Sequence, residues 1–362
     1  MRVCLIALLL CCTTTSLFAQ IDTKKLLEDY SLQLFEQNAS GFMSPLVIVT
    51  NVGANHGFYH SARVDRENRL SFELSVQSMT AWVRDDQRSF TARVPLDNRP
   101  GDDVQLLLFK EMLRGAVAEG EMRPDLHSAT VFGTEGEFFR IPKDYIRRNY
   151  PFIPASVLDG LPDSLALTNG INRDVVYAAV PQLRIGTYRN TDMIVRYIPP
   201  VVFDTAVGKF SFYGFALRHG VTNWFDDLPF DGAVQVSYQH STIDNTVGDT
   251  RARLAATTDM ISVNLHASRR FWGWFEPFVG VSFDHLSSKG SYTFTLPKKV
   301  TDQIGYDIDP QTARISLEDN AVKGTIGASA MWRNASVFVS AGITKHVILH
   351  AGIAYLFENL YP

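Results

Sequence analysis

Cysteine is nearly absent. The 362 residues hold three, Cys4, Cys11 and Cys12. Beyond them no disulfide, thiolate nucleophile or zinc–cysteine site is available. Long apolar runs are missing too. No stretch approaches about 18 successive apolar residues, which excludes a membrane-spanning helix. Charge of one sign is lacking, with 34 Lys and Arg against 38 Asp and Glu. That near balance gives no reason to invoke nucleic acid. Nucleotide loops, zinc motifs, Gly-x-Ser-x-Gly elbows and calcium loops are absent, so neither cofactor nor metal is expected.

What is present begins with an export pattern. Met1-Arg2, an apolar run from Val3 to Cys12 and the small Ala19 read as a secretory signal over residues 1–19, cut after Ala19. Loss of Arg2 takes the net charge from −4 to −5. A large exported chain without further cysteine fits proteins that cross a periplasm before entering an outer membrane.

The rest reads as strands. In residues 347–357, VILHAGIAYLF, every second position is apolar, and eleven residues suffice to cross a bilayer as a tilted strand. An ordinary sandwich strand alternates equally well. His350, Gly352, Tyr355 and Phe357 resemble the C-terminal signal that the barrel-assembly machinery reads in bacterial outer-membrane barrels. Residues 358–362 follow it as a tail. Upstream, 57–64 and 70–79 read as a hairpin. Further candidates are 174–180, 182–188, 191–199, 209–219, 232–241, 251–268, 274–286, 291–296, 313–317, 322–332 and 335–343. At about ten residues per strand, residues 57–357 hold about 12 strands, within 10–14. The fold class expected is all-β, a transmembrane antiparallel β-barrel. The closing pair would be 347–357 with 57–64, leaving no free edge. Pro181 and Pro199-Pro200 would mark strand edges or ends.

Charge falls on the face opposite the apolar one. Glu73, Asp192, Arg196, Glu276, Asp284, Lys323 and Arg333 are therefore candidates for lining the lumen. Asp192 and Arg196 would stand about 13 Å apart along one strand, so each needs a partner elsewhere. Opposed charges of this kind select solutes or merely brace a filled barrel. Aromatic residues gather at strand ends, as interfacial girdles do.

Outside the strands, residues 21–37 carry Leu26, Leu27, Tyr30, Leu34 and Phe35 on one stripe, a short amphipathic helix. Residues 20–56 would form a plug or a periplasmic segment. The insert 96–173 is irregular, with a helix over 104–117 and short strands over 129–133 and 138–141. His56, His60 and Ser61, or His219 with Asp226 and Asp227, are the candidates for rim hydrolysis, but their spacing carries no catalytic pattern. No enzyme is expected.

Several segments resemble an uncharacterised Gram-negative outer-membrane barrel family, a domain of unknown function. They are Asn55-His-Gly-Phe-Tyr-His-Ser-Ala-Arg63, Ala129-Thr-Val-Phe-Gly133, Pro181-Gln-Leu-Arg-Ile-Gly186, Thr191-Asp-Met-Ile-Val-Arg-Tyr-Ile-Pro199, Phe212-Tyr-Gly-Phe-Ala-Leu-Arg-His-Gly220 and Leu228-Pro-Phe-Asp231. The resemblance implies architecture and an outer-membrane location, with lipid around the barrel. It is distantly similar to long-chain fatty-acid transporters, though their Asn-Pro-Ala motif is missing. No functional residue carries over. Three roles are expected in order: a passive channel or transporter for a small, possibly hydrophobic solute; a barrel that anchors or scaffolds envelope components; a rim lipid hydrolase or acyltransferase.

Overall fold

The computed structural model describes residues 21–65, 70–204, 208–225, 228–247, 252–295 and 298–357. The expected signal segment and the tail 358–362 lie outside the described residues. Ten antiparallel strands close a barrel. They are β1 (Ser71–Trp82), β6 (Val175–Tyr188), β7 (Thr191–Asp204), β8 (Gly208–Gly220), β9 (Asp231–Val247), β10 (Ala252–Ser268), β11 (Phe275–Phe294), β12 (Gln311–Trp332), β13 (Ala335–Ile343) and β14 (Val347–Phe357). Each pairs with its chain neighbour, and β14 closes on β1, with Phe72 opposite Phe357 and Ala81 opposite Ile348.

The number is ten, not twelve. Three pairs of candidate strands merge, because β6, β11 and β12 run 14, 20 and 22 residues. Turn-like Ser and Gly in their middles remain paired, as where Ser288 faces Leu317 and Gly290 faces Ile315. Residues 57–64 are not a strand either. They run through the lumen, where both of their faces meet protein, and Ser71–Trp82 takes the closing position.

The outer face explains the unequal lengths. On β11, outward Val279, Val281 and Phe283 are apolar, and His285, Ser287 and Lys289 above them are polar. The register carries the apolar level around the wall. Phe283 faces Val322 and Val263, Val263 faces Val236, Val236 faces Leu217, and Leu217 faces Met193. The band spans about nine residues of tilted strand, roughly 20–25 Å. Above it β9–β12 continue with polar outer faces, where Asp259 accepts from the Tyr238 hydroxyl at 2.6 Å and contacts His240 at 2.9 Å. Trp224, Trp272, Trp274 and Trp332 are exposed at the end where β14 finishes. No helix among the described residues is long and apolar enough to cross a membrane.

One helix fills the barrel. α1 (Thr23–Asn55) is 33 residues, about 50 Å at helical rise. The stripe over 21–37 is only its first half. Residues 38–55, with Gly41, Ser44, Pro45 and Asn51, carry loop signals, yet they continue the helix. Side chains there return to carbonyls one turn back: Asn38 to Leu34 at 2.7 Å, Thr50 to Leu46 at 2.6 Å and Asn51 to Val47 at 2.8 Å. Burial on nearly every face overrides local propensity. Ten strands about 4.8 Å apart and tilted about 40° close on a backbone radius of about 10 Å, which just admits one helix of about 10–12 Å diameter.

Residues 83–174 form a cap over one mouth. It holds two small sheets, β2 (Ser89–Arg93) with β3 (Asp125–Ala129) and β4 (Phe138–Arg140) with β5 (Ser164–Ala166). It also holds α2 (Val104–Ala118), α3 (Lys143–Asn149) and α4 (Ala155–Asp159). The remaining helix, α5 (Lys298–Ile304), lies between β11 and β12. The helix expected over 104–117 is α2. Its start is capped by Asp103, which accepts from the Leu106 N–H at 2.9 Å. The first half of α1 packs into the cap through Leu26, Leu27, Tyr30 and Leu34, with Tyr30 edge-on to Phe109 at 5.0 Å. The second half, from Phe35 through Phe42, Leu46 and Val49, packs against Phe210, Phe212, Leu254, Leu286 and Tyr292 of the wall. In the cap Lys110 and Asp102 form a buried pair at 2.7 Å. Burial pushes the Asp102 carboxyl up, but hydrogen bonds from Lys110, the Arg99 N–H and Gln33 outweigh it and hold the group below its usual range.

Candidate functional site

The lower lumen holds most of the charge. α1 ends at Asn55 and its chain continues through residues 56–65, with the wall on all sides. The terminus leaves unpaired carbonyls, and Arg196 on β7 meets them. Its Nη1 donates to the Ala54 and His56 oxygens, both at 2.9 Å. Nη2 donates to Gln77 on β1 at 2.7 Å, and Nε to Gln182 on β6 at 2.8 Å. The guanidinium stands 3.8 Å over the Phe58 ring. Among the described residues no carboxylate takes part. A fully buried cation thus sits at the negative end of a helix dipole, with its donors spread over carbonyls and amides.

Asp192, four residues away, belongs to a second cluster. It accepts from Arg218 on β8, from Thr187 at 3.0 Å and from Arg184 on β6 at 3.4 Å. Arg184 also reaches Glu73 at 3.2 Å, and Glu73 lies 3.6 Å from His60. Arg218 donates to the Ser61 carbonyl at 2.8 Å. Two further groups complete the layer. Asp284 pairs with Lys323 at 2.9 Å. Glu276 accepts from Ser61, from Ser268 at 2.7 Å and from Arg270 at 3.1 Å.

Six of the seven predicted lumen residues are therefore buried inside, and Glu73 and Asp192 are joined through Arg184. Arg333 is different. It occupies the turn between β12 and β13 with φ of 54° and is exposed, at the edge of a cavity of about 220 Å³ that opens at the lower mouth. The strand ends at Trp332, as the 322–332 candidate does, and the inward alternation does not carry on into the turn. Arg184 and Arg218 were missed, although each alternates with inward neighbours, Gln182 and Ala216. Gln77 falls on the inward face of the 70–79 strand with Glu73, and as a neutral amide it stands out less than a charge.

The strand glycines act as sockets for the threaded segment. A Cβ at Gly342 would fall 2.7 Å from the His56 ring, and one at Gly214 would fall 3.1 Å from Phe58. Gly280 lies against the Tyr59 hydroxyl, whose ring stacks on His266 at 3.9 Å. Gly324 has nothing within 4 Å. Overpacking of a filled core costs about 1–3 kcal/mol. Gly280→Leu and Gly342→Leu are thus each expected to lower unfolding free energy by at least that much, and Gly324→Leu to leave it within about 0.5 kcal/mol. Urea midpoints followed by the gel mobility of the folded barrel would measure this. Equal midpoints in all three variants would remove the sockets.

The residues considered for hydrolysis do not assemble. His56 contacts Ser340 at 3.0 Å, Ser340 contacts His350 at 2.9 Å, and His350 contacts Gln77 at 3.1 Å. Ser61 donates to Glu276 rather than to His60, whose ring stacks on Phe338 at 4.3 Å. His219 contacts Thr191 at 2.8 Å. Asp226 and Asp227 lie outside the described residues. Among the candidate assembly residues, His350 is buried inward, Gly352 backs onto Phe338, and Tyr355 and Phe357 are exposed with rings 4.8 Å apart.

The wall itself has a seam. Pairing between β6 and β7 stops at Gln182 opposite Arg196. Above that level residues 175–181 of β6 pair only with β1, and residues 197–204 of β7 only with β8. Pro181, Pro199 and Pro200 lie on the two facing edges, where they offer no N–H. The prolines read as edge markers do mark edges, but inside a closed barrel. Behind the seam are Val176, Val180 and Ile198, part of the core that surrounds α1.

The chain matches a family described as "Family of unknown function (DUF6588)" over residues 1–357. No curated protein matches it. Among solved structures it is similar to the outer membrane protease OmpT from Escherichia coli, at 10% identity, over 82% of this chain and 98% of that one, with a TM-score of 0.35. The translocator domain of the autotransporter NalP from Neisseria meningitidis gives 8% identity, 89% and 98% coverage and a TM-score of 0.27. The attachment invasion locus protein Ail of Yersinia pestis gives 7%, 80%, 99% and 0.25.

Proposed function

Because the chain belongs to this family of unknown function, DUF6588, its role has to come from its own geometry, and we propose that it is a closed outer-membrane barrel that anchors a cap outside the cell. The single observation carrying this is α1. One continuous helix is shared by two cores, its first half in the cap and its second half in the lumen. Cap and barrel are thereby one solid piece, with the bore occupied. The apolar band supports insertion in a bilayer. The connections at the β14 end include the short turns 189–190 and 333–334, whereas the other end carries the 83–174 cap. Short turns face the periplasm in such barrels, which favours a cap on the outside. The passive-channel reading therefore ranks below the anchoring one.

Two measurements test this. Purified protein in planar bilayers should show no current steps; steady open-channel current would overturn it. In intact cells a membrane-impermeant maleimide should label Glu135→Cys, exposed in the cap, and not Arg333→Cys. The reverse pattern would invert the orientation.

The seam favours a second reading, in which an apolar solute enters sideways from lipid. Unpaired strand edges are costly at membrane depth, and three prolines lower that cost without restoring pairing. A reducible bismaleimide crosslink between Ala179→Cys and Tyr197→Cys, both exposed on the outer face, would staple the two edges. Under this reading, stapling stops uptake of an apolar fluorophore into proteoliposomes and reduction restores it. Uptake that ignores the staple would leave the anchoring reading alone.

A further inference from the structure

On the outside of the barrel, a second apolar space is unrelated to the lumen. The connection from β8 to β9 turns back against the wall. Its start is pinned: the Val221 N–H donates to the Gly232 oxygen at 2.8 Å, and the Gly232 N–H to Thr222 at 2.8 Å. Trp224 follows, with its N–H on the Val221 oxygen at 3.0 Å and its ring 5.4 Å from that of His219. Together Trp224, Phe225, Leu228 and Phe230 face the strands across a groove of about 960 Å³. The opposite wall is Leu265, Val279 and Val281, which belong to the apolar band. The volume is at the upper end for small-molecule sites, about 300–1,000 Å³. Both walls are apolar, and the groove opens toward the surroundings of the band.

A cation follows two residues below Ala267, the last residue of β10 to line the groove. β10 runs downward from Leu265 through Ala267, which also lines the groove, to Arg269. Arg269 is exposed, lies 5.2 Å over the Phe271 ring, and has no acidic partner among the described residues. Phe271, Trp272 and Trp274 lie beside it in sequence and are exposed, the belt that sits at headgroup depth. An apolar groove inside the band, with a guanidinium two residues below its lining that has no acidic partner among the described residues, matches one kind of molecule. Its body is hydrocarbon and its head carries an anionic oxygen.

We infer that this groove holds one phospholipid of the periplasm-facing leaflet, acyl chains between the loop and strands β9–β11 and phosphate on Arg269. The inference rests on the membrane orientation proposed above. Its test is native mass spectrometry of the full chain, released from vesicles of palmitoyl-oleoyl phosphatidylglycerol into mild detergent. Wild type should retain one lipid per chain. Val281→Trp, which fills the groove, should lower that occupancy at least five-fold, and Arg269→Gln at least three-fold. Ile353→Ala, on the band but away from the groove, should not change it. Gel mobility confirms that each variant is folded. Wild-type chains that carry no lipid, or equal occupancy in Val281→Trp, would overturn the site. Vesicle insertion is scored separately. A chain that inserts but retains no lipid refutes only the site, and one that fails to insert refutes the membrane reading as well.

Discussion

Arg196→Met is expected to destabilise the barrel by about 3–5 kcal/mol, as the orphaning of several buried neutral acceptors would. The expectation follows from what the guanidinium satisfies. Two backbone oxygens at the end of α1 and two side-chain amides take hydrogen bonds from it at 2.7–2.9 Å. Methionine occupies a similar length and offers no donor. Each orphaned buried acceptor costs about 1–3 kcal/mol, and some of the four would find water or one another, so the simple sum is an upper bound. Phe58 would also lose its cation. Arg196→Lys should recover part of the loss, since one ammonium cannot follow a planar fork that reaches four acceptors in different directions. The measurement is the urea midpoint and slope, monitored by folded gel mobility. A change within 1 kcal/mol for Met would mean that the helix end is held elsewhere. The slope adds a second reading. If the end of α1 comes free in the native state, less surface remains to be exposed on unfolding, and the slope falls.

Arg196 also shows how far one sequence can be read. Its inward position follows from period-two alternation, which needs only neighbours along the chain. So do Glu73, Asp192, Glu276, Asp284 and Lys323, and the apolar positions of β14. The partners do not follow. Asp192 was legible as unpaired along its own strand, but Arg184 and Arg218 reach it from two others. Only register supplies that. The second half of α1 was illegible for a different reason. Its Gly, Ser, Pro and Asn are loop formers in water, and the barrel removes water from nearly every side. Residues 57–64 failed in the opposite direction. Their small, aromatic and polar residues resemble a strand, yet their partners lie all around the wall: His56 on β13, Phe58 against β7 and β8, Tyr59 and Ser61 on β10 and β11, and His60 beside β1 and β13. Gly214, Gly280 and Gly342 were the available signal. Glycine weakens a strand interior unless something approaches closely, and each of the three faces a ring or hydroxyl of the threaded segment.

Removing the helix should turn a silent barrel into a conducting one. A ten-stranded wall with a backbone radius of about 10 Å has room for one helix and its side chains, or for a water-filled bore of about that width. The inward faces that remain below would be polar: Gln77, Gln182, Gln239 and the ion pairs of Asp192, Asp284 and Glu276. Such a lining accepts water and ions. Above, Phe210, Phe212, Tyr292 and Phe294 would lose the apolar partners that α1 gives them, so a narrow dewetted stretch could form there. Steps should therefore be smaller than the geometric bore implies. Deleting 21–60 also strips the cap of Leu26, Leu27, Tyr30 and Leu34, and that loss could unfold the cap or abolish assembly. A second variant replaces only residues 42–60 with a Gly/Ser linker and leaves that core in place. The observable is single-channel current in planar bilayers for chains that pass the gel test of folding. Wild type silent and the linker variant conducting is the expected pair. If folded linker variant and wild type are both silent, the wall closes without its helix, and α1 is a brace for the cap and not the seal of the bore.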